Sequence, residues 1–293
     1  LPTEQVFGAI CTDSRQVRPG CLFVPLVGAQ HDGHDHVAAA LAQGAAASLW
    51  ARPGIAPERV VRVHETLQAL QDLGAYHLHQ RVKCPVIAIT GSTGKTTTKD
   101  LVACLLATKY KLLKTPGNYN NDVGVPLTLL QLERDTQLAV IEIAMRGLEQ
   151  IRRLALLLKP EIGLITNVGV SHIELLGSRQ RIAQAKGELI EALEAKATAV
   201  LPADSDFFEY LSSLHQGPVV SFSGDPASSA ELKPRQRIQR GLDGWGVEFE
   251  PGHLWDFPLP GEHHVEDLTA AWAVARHFQV DPVAAGAALR QVR

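Results

Sequence analysis

An apolar run, Val86-Ile87-Ala88-Ile89-Thr90, passes directly into Gly91-Ser92-Thr93-Gly94-Lys95-Thr96-Thr97-Thr98. Glycines at such a junction let backbone N–H groups curl round phosphate oxygens, and a helix starting at the lysine adds a partial positive charge. Lys95 has the reach for the outer phosphates of a nucleoside triphosphate, and the Thr96 hydroxyl suits magnesium. The competing reading is a glycine turn before an ordinary helix. A strand in front and Gly-Lys-Thr at the helix start argue against it. The general phosphate-loop pattern asks for a glycine where Ile89 stands.

Other polar residues stand in places that need a reason. Glu142 interrupts the apolar run Val140-Ile141-Glu142-Ile143-Ala144-Met145, and a buried carboxylate is costly without a cation partner, whether a lysine or a metal. Asn118, Asn120 and Asn121 cluster where a turn is the ordinary reading. His172 lies in Asn167-Val168-Gly169-Val170-Ser171-His172, after another apolar run. Lys186, in Ala185-Lys186-Gly187-Glu188, reads by itself as a helix-surface lysine paired with Glu188 or Glu191. Nearer the start, Ser14 and Arg15 follow Asp13, and Arg15 suits a pyrophosphate. Asp32 and His34 sit in Gly28-Ala29-Gln30-His31-Asp32-Gly33-His34, where turn roles for Asp32 and Gly33 compete with ligand binding. His77 and His79 read as surface residues of a helix.

The elements that must carry these groups alternate. Strands are expected over 21–26, 45–50 and 60–63, with helices over 37–44 and 65–80. Val82-Lys83-Cys84-Pro85 marks a boundary, giving domains 1–82 and 83–293. Beyond it, strands over 86–90, 138–143, 162–166 and 198–201 alternate with helices over 95–108, 148–158 and 179–195. That rhythm implies an α/β fold with a mostly parallel sheet covered on both faces. Residues 232–260 resemble antiparallel hairpins, and 266–278 a final amphipathic helix.

Composition narrows the partners. The 293 residues carry a formal net charge of −3 and no lysine–arginine run, which argues against a nucleic-acid face and for a small molecule. Only 5% are aromatic, so aliphatic residues must fill the core. Four scattered cysteines suggest neither a disulfide framework nor a structural zinc site. No eighteen-residue apolar stretch spans a membrane, and Leu1-Pro2-Thr3-Glu4 lacks the features of a signal peptide. A cytoplasmic monomer is the default expectation. The start also lacks methionine, so residues before Leu1 are expected.

Taken together, these segments resemble the Mur ligase family. The loop fits the variant T-G-[ST]-x-G-K-[ST]-[ST] shared by Mur ligases and folylpolyglutamate synthetases, enzymes that activate a carboxylate with ATP and join it to an amine. The segment from Lys114 to Leu130 is similar to that of the branch adding D-alanyl-D-alanine to UDP-N-acetylmuramoyl-tripeptide. The resemblance implies a small N-terminal UDP-sugar-binding domain, using Ser14, Arg15, Asp32 and His34, followed by a central ATP-binding domain. It makes Gly91 to Thr97 the ATP site and places Asn118, Asn120 and Asn121 at the substrate. Lys95, Glu142, His172 and Lys186 become the catalytic set. Magnesium would be held by Thr96, Glu142, His172 and Lys186, the last as a carbamate. Gly261-Glu262-His263-His264-Val265-Glu266-Asp267 matches G-x-H-N-V-x-N, but His264 and Asp267 replace the two asparagines. Asp267 can accept from adenine's amino group and cannot donate to a ring nitrogen. The family's third domain would follow residue 293, so the chain alone is expected to bind ligands without turnover. The alternatives are the ligase for the preceding, third residue and a non-catalytic nucleotide- or UDP-sugar-binding module.

Overall fold

A computed structural model describes residues 6–28, 30–171 and 173–292. The chain forms two compact units, Leu1–Tyr76 and His77–Arg293. In the first, β1 (Ile10–Cys11), β2 (Leu22–Phe23), β3 (Ala47–Trp50) and β4 (Val60–Arg62) form a parallel sheet in that order. Helices α1 (Val37–Ala42) and α2 (Thr66–Tyr76) accompany it. Phe23, Val37, Ala40, Leu41 and Trp50 form its core. The strand expected over 21–26 pairs only at Leu22 and Phe23. Pro25 has no N–H to give a ladder, which limits its extension.

The second unit begins with a π-helical turn at His77–Val82, where an uninterrupted helix to residue 80 had been expected. Then follow β5 (Val86–Thr90), α3 (Lys95–Leu106), β6 (Leu112–Lys114), α4 (Gly124–Leu129), β7 (Leu138–Glu142), α5 (Gln150–Leu158) and β8 (Ile162–Ile165). After them come α6 (Ile173–Leu176), α7 (Arg179–Glu191), β9 (Thr198–Pro202), α8 (Phe208–Ser213) and β10 (Val219–Phe222). The strands make a six-stranded, wholly parallel sheet in the order β10-β9-β8-β5-β7-β6. Side chains alternate across it. Ile87, Ile89, Val140 and Leu164 join the core containing α3, while Val86, Ala88, Ile141 and Ile165 join the one containing α5 and α7.

The expected hairpins are present as an antiparallel sheet of β11 (Gln236–Gln239), β12 (Trp245–Glu248) and β13 (Leu254–Phe257). The helix α9 (His263–His277) is not amphipathic. Val265 and every residue from Asp267 to Ala275 are buried. It belongs to the same core as α3 and the small sheet, with Trp272 edge-on to Trp255 at 4.8 Å. Nor is it the last helix, since α10 (Pro282–Leu289) follows, capped by Asp281. Among the described residues no helix is long and apolar enough to cross a membrane.

Candidate active site

The C-terminal ends of β5, β7 and β8 converge on one edge of the parallel sheet, where ligands of open α/β sheets collect. From Thr90 the chain turns through Gly91 to Gly94 into α3. Gly94 holds φ +75°, and a Cβ there would strike the Asp267 carboxylate. A Cβ on Gly91 would collide with the Thr166 side chain. The end of β8 braces this loop. Thr166 Oγ1 donates to the Thr93 carbonyl at 2.6 Å, the Asn167 side chain accepts from the Thr93 amide at 3.1 Å, and Ser92 Oγ accepts from the Gly169 amide at 2.9 Å. The amides of Lys95, Thr96 and Thr97 have no intrahelical acceptors in the first turn of α3 and are available to an anion. Lys95 Nζ folds back onto the Gly91 and Ser92 carbonyls, at 2.9 and 3.2 Å. Burial pushes its ammonium below the usual lysine range, and the Glu142 carboxylate partly offsets this.

Glu142, the last residue of β7, is 2% exposed. Its Oε2 accepts from the Thr96 hydroxyl at 2.9 Å and its Oε1 from the Asn120 amide at 2.8 Å. Among the described residues its side chain accepts from a hydroxyl and an amide and from no lysine. No group of three or more His, Cys, Asp or Glu among the described residues forms a metal cage. Magnesium does not require one, because it takes one or two carboxylates and completes its octahedron with phosphate and water. The Thr96–Glu142 pair beside a phosphate loop fits that habit. His172 lies outside the described residues.

Lys186 stands on α7 with 1% of its surface exposed, so the surface-lysine reading fails. Glu188 does not pair with it but accepts the amides of Glu149 and Arg152, at 2.7 and 3.1 Å, capping α5. Glu191 pairs with Arg152. Burial, and then the charge of Lys95, push the Lys186 ammonium down to about 7.

Asp267 lies on α9, beneath the loop. Its Oδ1 accepts from the Thr98 hydroxyl at 3.0 Å, and its Oδ2 stands 3.5 Å from His264 Nδ1. A cavity of about 230 Å³ opens beside it, lined by Thr93, Thr97, Asn167, His263, His264 and Asp267 among others. Burial raises the Asp267 carboxyl, against the opposing pull of Thr98 and His264. A raised carboxylate weakens the fold as pH climbs above the unfolded value, and the penalty disappears in acid. Asp267→Asn keeps an acceptor for Thr98 and removes the charge. Its melting temperature should exceed wild type at pH 7, with the gap closing as pH falls toward ~4. A gap that stays constant over this range would refute the assignment.

Most of the remaining expected residues serve the fold. Asn121 Oδ1 caps α4 by accepting from Val123 and Gly124, at 3.1 and 2.8 Å, while Asn118 is exposed. In the first unit, Ser14 opens a one-turn 3-10 helix, and exposed Arg15 pairs with Asp13 at 2.8 Å. The Arg15 side chain holds the Asp13 carboxyl down to about 2. His34 is buried, donating from Nδ1 to Asp32 at 2.6 Å while its Nε2 accepts from the Ala51 amide at 3.0 Å, which fixes its tautomer. Asp32 also accepts from Arg52 at 2.9 Å. Against the effect of its own burial, His34 and Arg52 hold the Asp32 carboxyl down to about 2. His77 and His79 are half-buried, their Nε2 atoms 2.8 Å from the carbonyls of Leu132 and Leu157. They tie the π-helical turn to the rest of the second unit and are not surface residues. Thr166 and Asn167, which brace the phosphate loop, had no role assigned from sequence. Their signal was position, directly after an apolar strand.

A phosphate loop at the C-terminal edge of a six-stranded parallel sheet, with a hydroxyl–carboxylate pair beside it, defines a phosphate-loop nucleotide-binding fold. Residues 89–275 match the Mur ligase middle domain and residues 7–81 the Mur ligase family, catalytic domain; the chain belongs to the Mur ligase family. It is 40% identical over 277 residues to the UDP-N-acetylmuramoyl-tripeptide–D-alanyl-D-alanine ligase of Synechocystis, covering 93% of this chain and 58% of that protein. A crystal structure of MurF from Acinetobacter baumannii superposes with a TM-score of 0.90 at 30% identity, covering 97% of this chain and 63% of that one. MurF from Thermotoga maritima, solved with ADP, gives 0.84 at 27% identity, covering 97% and 66%. The chain thus spans about three-fifths of the length of such relatives.

Proposed function

We propose that the protein is an ATP-dependent ligase joining D-alanyl-D-alanine to UDP-N-acetylmuramoyl-tripeptide. The observation that carries the chemistry is the Thr96–Glu142–Asn120 cluster set beside Lys95. The substrate choice is supported by the function of the relatives and by the Lys114 to Leu130 segment. In this reading a terminal carboxylate oxygen attacks the γ-phosphorus of ATP and ADP leaves. The amine nitrogen of the dipeptide then attacks the acyl carbon, phosphate leaves, and the nitrogen gives up a proton.

The chain's own groups supply positioning and charge. The Lys95 ammonium leaves the loop carbonyls for the outer phosphates, and the open amides of α3 hold them. Thr96 and Glu142 would hold magnesium, which neutralises charge on the transferring phosphoryl group when bound. Asn120 keeps the Glu142 carboxylate turned toward Thr96. Lys186, buried and with its neutral amine populated near pH 7, would be carbamylated, and the resulting anion would serve beside the same cation. His172 belongs to this set by its motif position. Asp267 and the cavity beside it would take the adenine.

The test offers the whole protein ATP, the UDP-linked tripeptide and either D-alanyl-D-alanine or single amino acids, and follows phosphate release. Release that depends on the dipeptide is expected. Release with the UDP-linked dipeptide and a single diamino acid, offered in parallel, would indicate the preceding ligase. Nucleotide binding without release under any pairing would leave a binding module.

A further inference from the structure

Helix α3 carries a second lysine that the chemistry above leaves unused. Lys99 stands four residues beyond Lys95 and is 3% exposed. Its Nζ donates to the carbonyl oxygen of Thr115 at 3.1 Å, with Asp100 Oδ1 at 3.4 Å. Thr115 is itself buried, and its hydroxyl accepts the backbone N–H of Glu142 at 2.9 Å. The next residue of the helix, Asp100, accepts from Lys114 at 2.7 Å. Two successive residues of α3 therefore grip two successive residues at the end of β6. From there the chain turns through Pro116 and Gly117 to Asn120, whose amide reaches the other side of the same carboxylate.

A buried ammonium is a costly way to fill space, and a leucine or methionine would do that better. The cation supplies what they lack, a donor for a carbonyl lying one residue past the last ladder pair of β6. We infer that Lys99 is a positioning residue for the Glu142 carboxylate. By holding Thr115 it fixes the last peptide of β7 and the root of the loop bearing Asn120. Oε2 thereby faces Thr96 while Oε1 is taken by Asn120. Helix α3 thus holds Glu142 twice, directly through Thr96 and indirectly through Lys99. The inference rests on reading Thr96 and Glu142 as the magnesium side of the site.

Calorimetric titration of ADP across a magnesium series tests it, using wild type, Lys99→Met, Lys99→Arg and Thr115→Val. Lys99→Met should bind ADP normally without magnesium. The magnesium concentration giving half of the affinity gain should rise about ten- to a hundredfold, the usual cost of losing a group that orients a metal ligand. Lys99→Arg, which still donates to the carbonyl, should restore most of the loss, and Thr115→Val should reproduce it. An unshifted midpoint in folded Lys99→Met overturns the inference while leaving the magnesium reading intact. Should Lys99→Met fail to fold, Thr115→Val decides: a shifted midpoint supports the inference and an unshifted one overturns it. Wild-type ADP affinity that ignores magnesium would instead overturn the magnesium reading, and the inference with it.

Discussion

Lys95→Ala should lose about a hundredfold in affinity for magnesium–ADP, the equivalent of removing a charge-assisted hydrogen bond worth on the order of 2–3 kcal/mol. The geometry gives the reason. In the free chain the ammonium is parked on the Gly91 and Ser92 carbonyls, within the loop whose amides would receive the phosphates. Moving it onto a phosphate exchanges two neutral acceptors for an anion, so nearly all of its value appears on binding. The fold should tolerate its loss, because Thr166 and Asn167 brace the loop independently. Calorimetry with ADP, alongside a thermal melt, checks both halves. Unchanged affinity would sink the phosphate-loop assignment. A collapsed melting temperature would show that Lys95 serves the fold.

The phosphate loop was legible because its sequence and its backbone are the same constraint. A left-handed φ at Gly94, and contact with Thr166 at Gly91, admit little else. The parallel sheet was legible for a similar reason, since β5, β7, β8 and β9 are buried on both faces and read as continuous apolar runs. Helix α9 was misread as amphipathic. Its alanines, Ala270, Ala271, Ala273 and Ala275, carry little hydrophobic contrast, yet their small size lets neighbouring elements approach from several sides. Helix α10 escaped notice for the same lack of contrast. Strand β6 has only three residues, and Pro126 inside the first turn of α4 hid that helix.

In the site, sequence named the atoms and the structure supplied their pairings. Glu142 was recognisable as a carboxylate in need of a partner, but its neighbours Thr96 and Asn120 lie 46 and 22 residues away along the chain. No local pattern encodes such a meeting. Asp32 and His34 show the reverse situation. Both are spent on each other and on Ala51 and Arg52, so a motif that looked like a ligand contact also closes a loop. Any ligand contact they make comes in addition to that structural work.

Lys186 carries the remaining large effect, and its sign follows from burial. The folded lysine titrates near 7 while the unfolded one keeps its ordinary value of 10.5. Between those values the unfolded chain binds more protons, so stability rises with pH across the window, by up to about 1.4 kcal/mol for each unit. Below 7 both states hold the proton, and the fold bears the full cost of a buried ammonium. Lys186→Met should therefore melt well above wild type at pH 7, with the gap narrowing steadily toward pH ~10. Carbon dioxide offers the wild type another escape, because the neutral amine attacks it and the carbamate replaces the cation with an anion. Labelled bicarbonate should give one slowly exchanging carbamate resonance at pH 8 that Lys186→Met lacks. In the whole protein, Lys186→Ala should lose activity that short carboxylic acids partly restore. A constant melting gap across the window would refute the buried-amine account. Absence of the resonance would leave a neutral lysine that the proposed chemistry does not use.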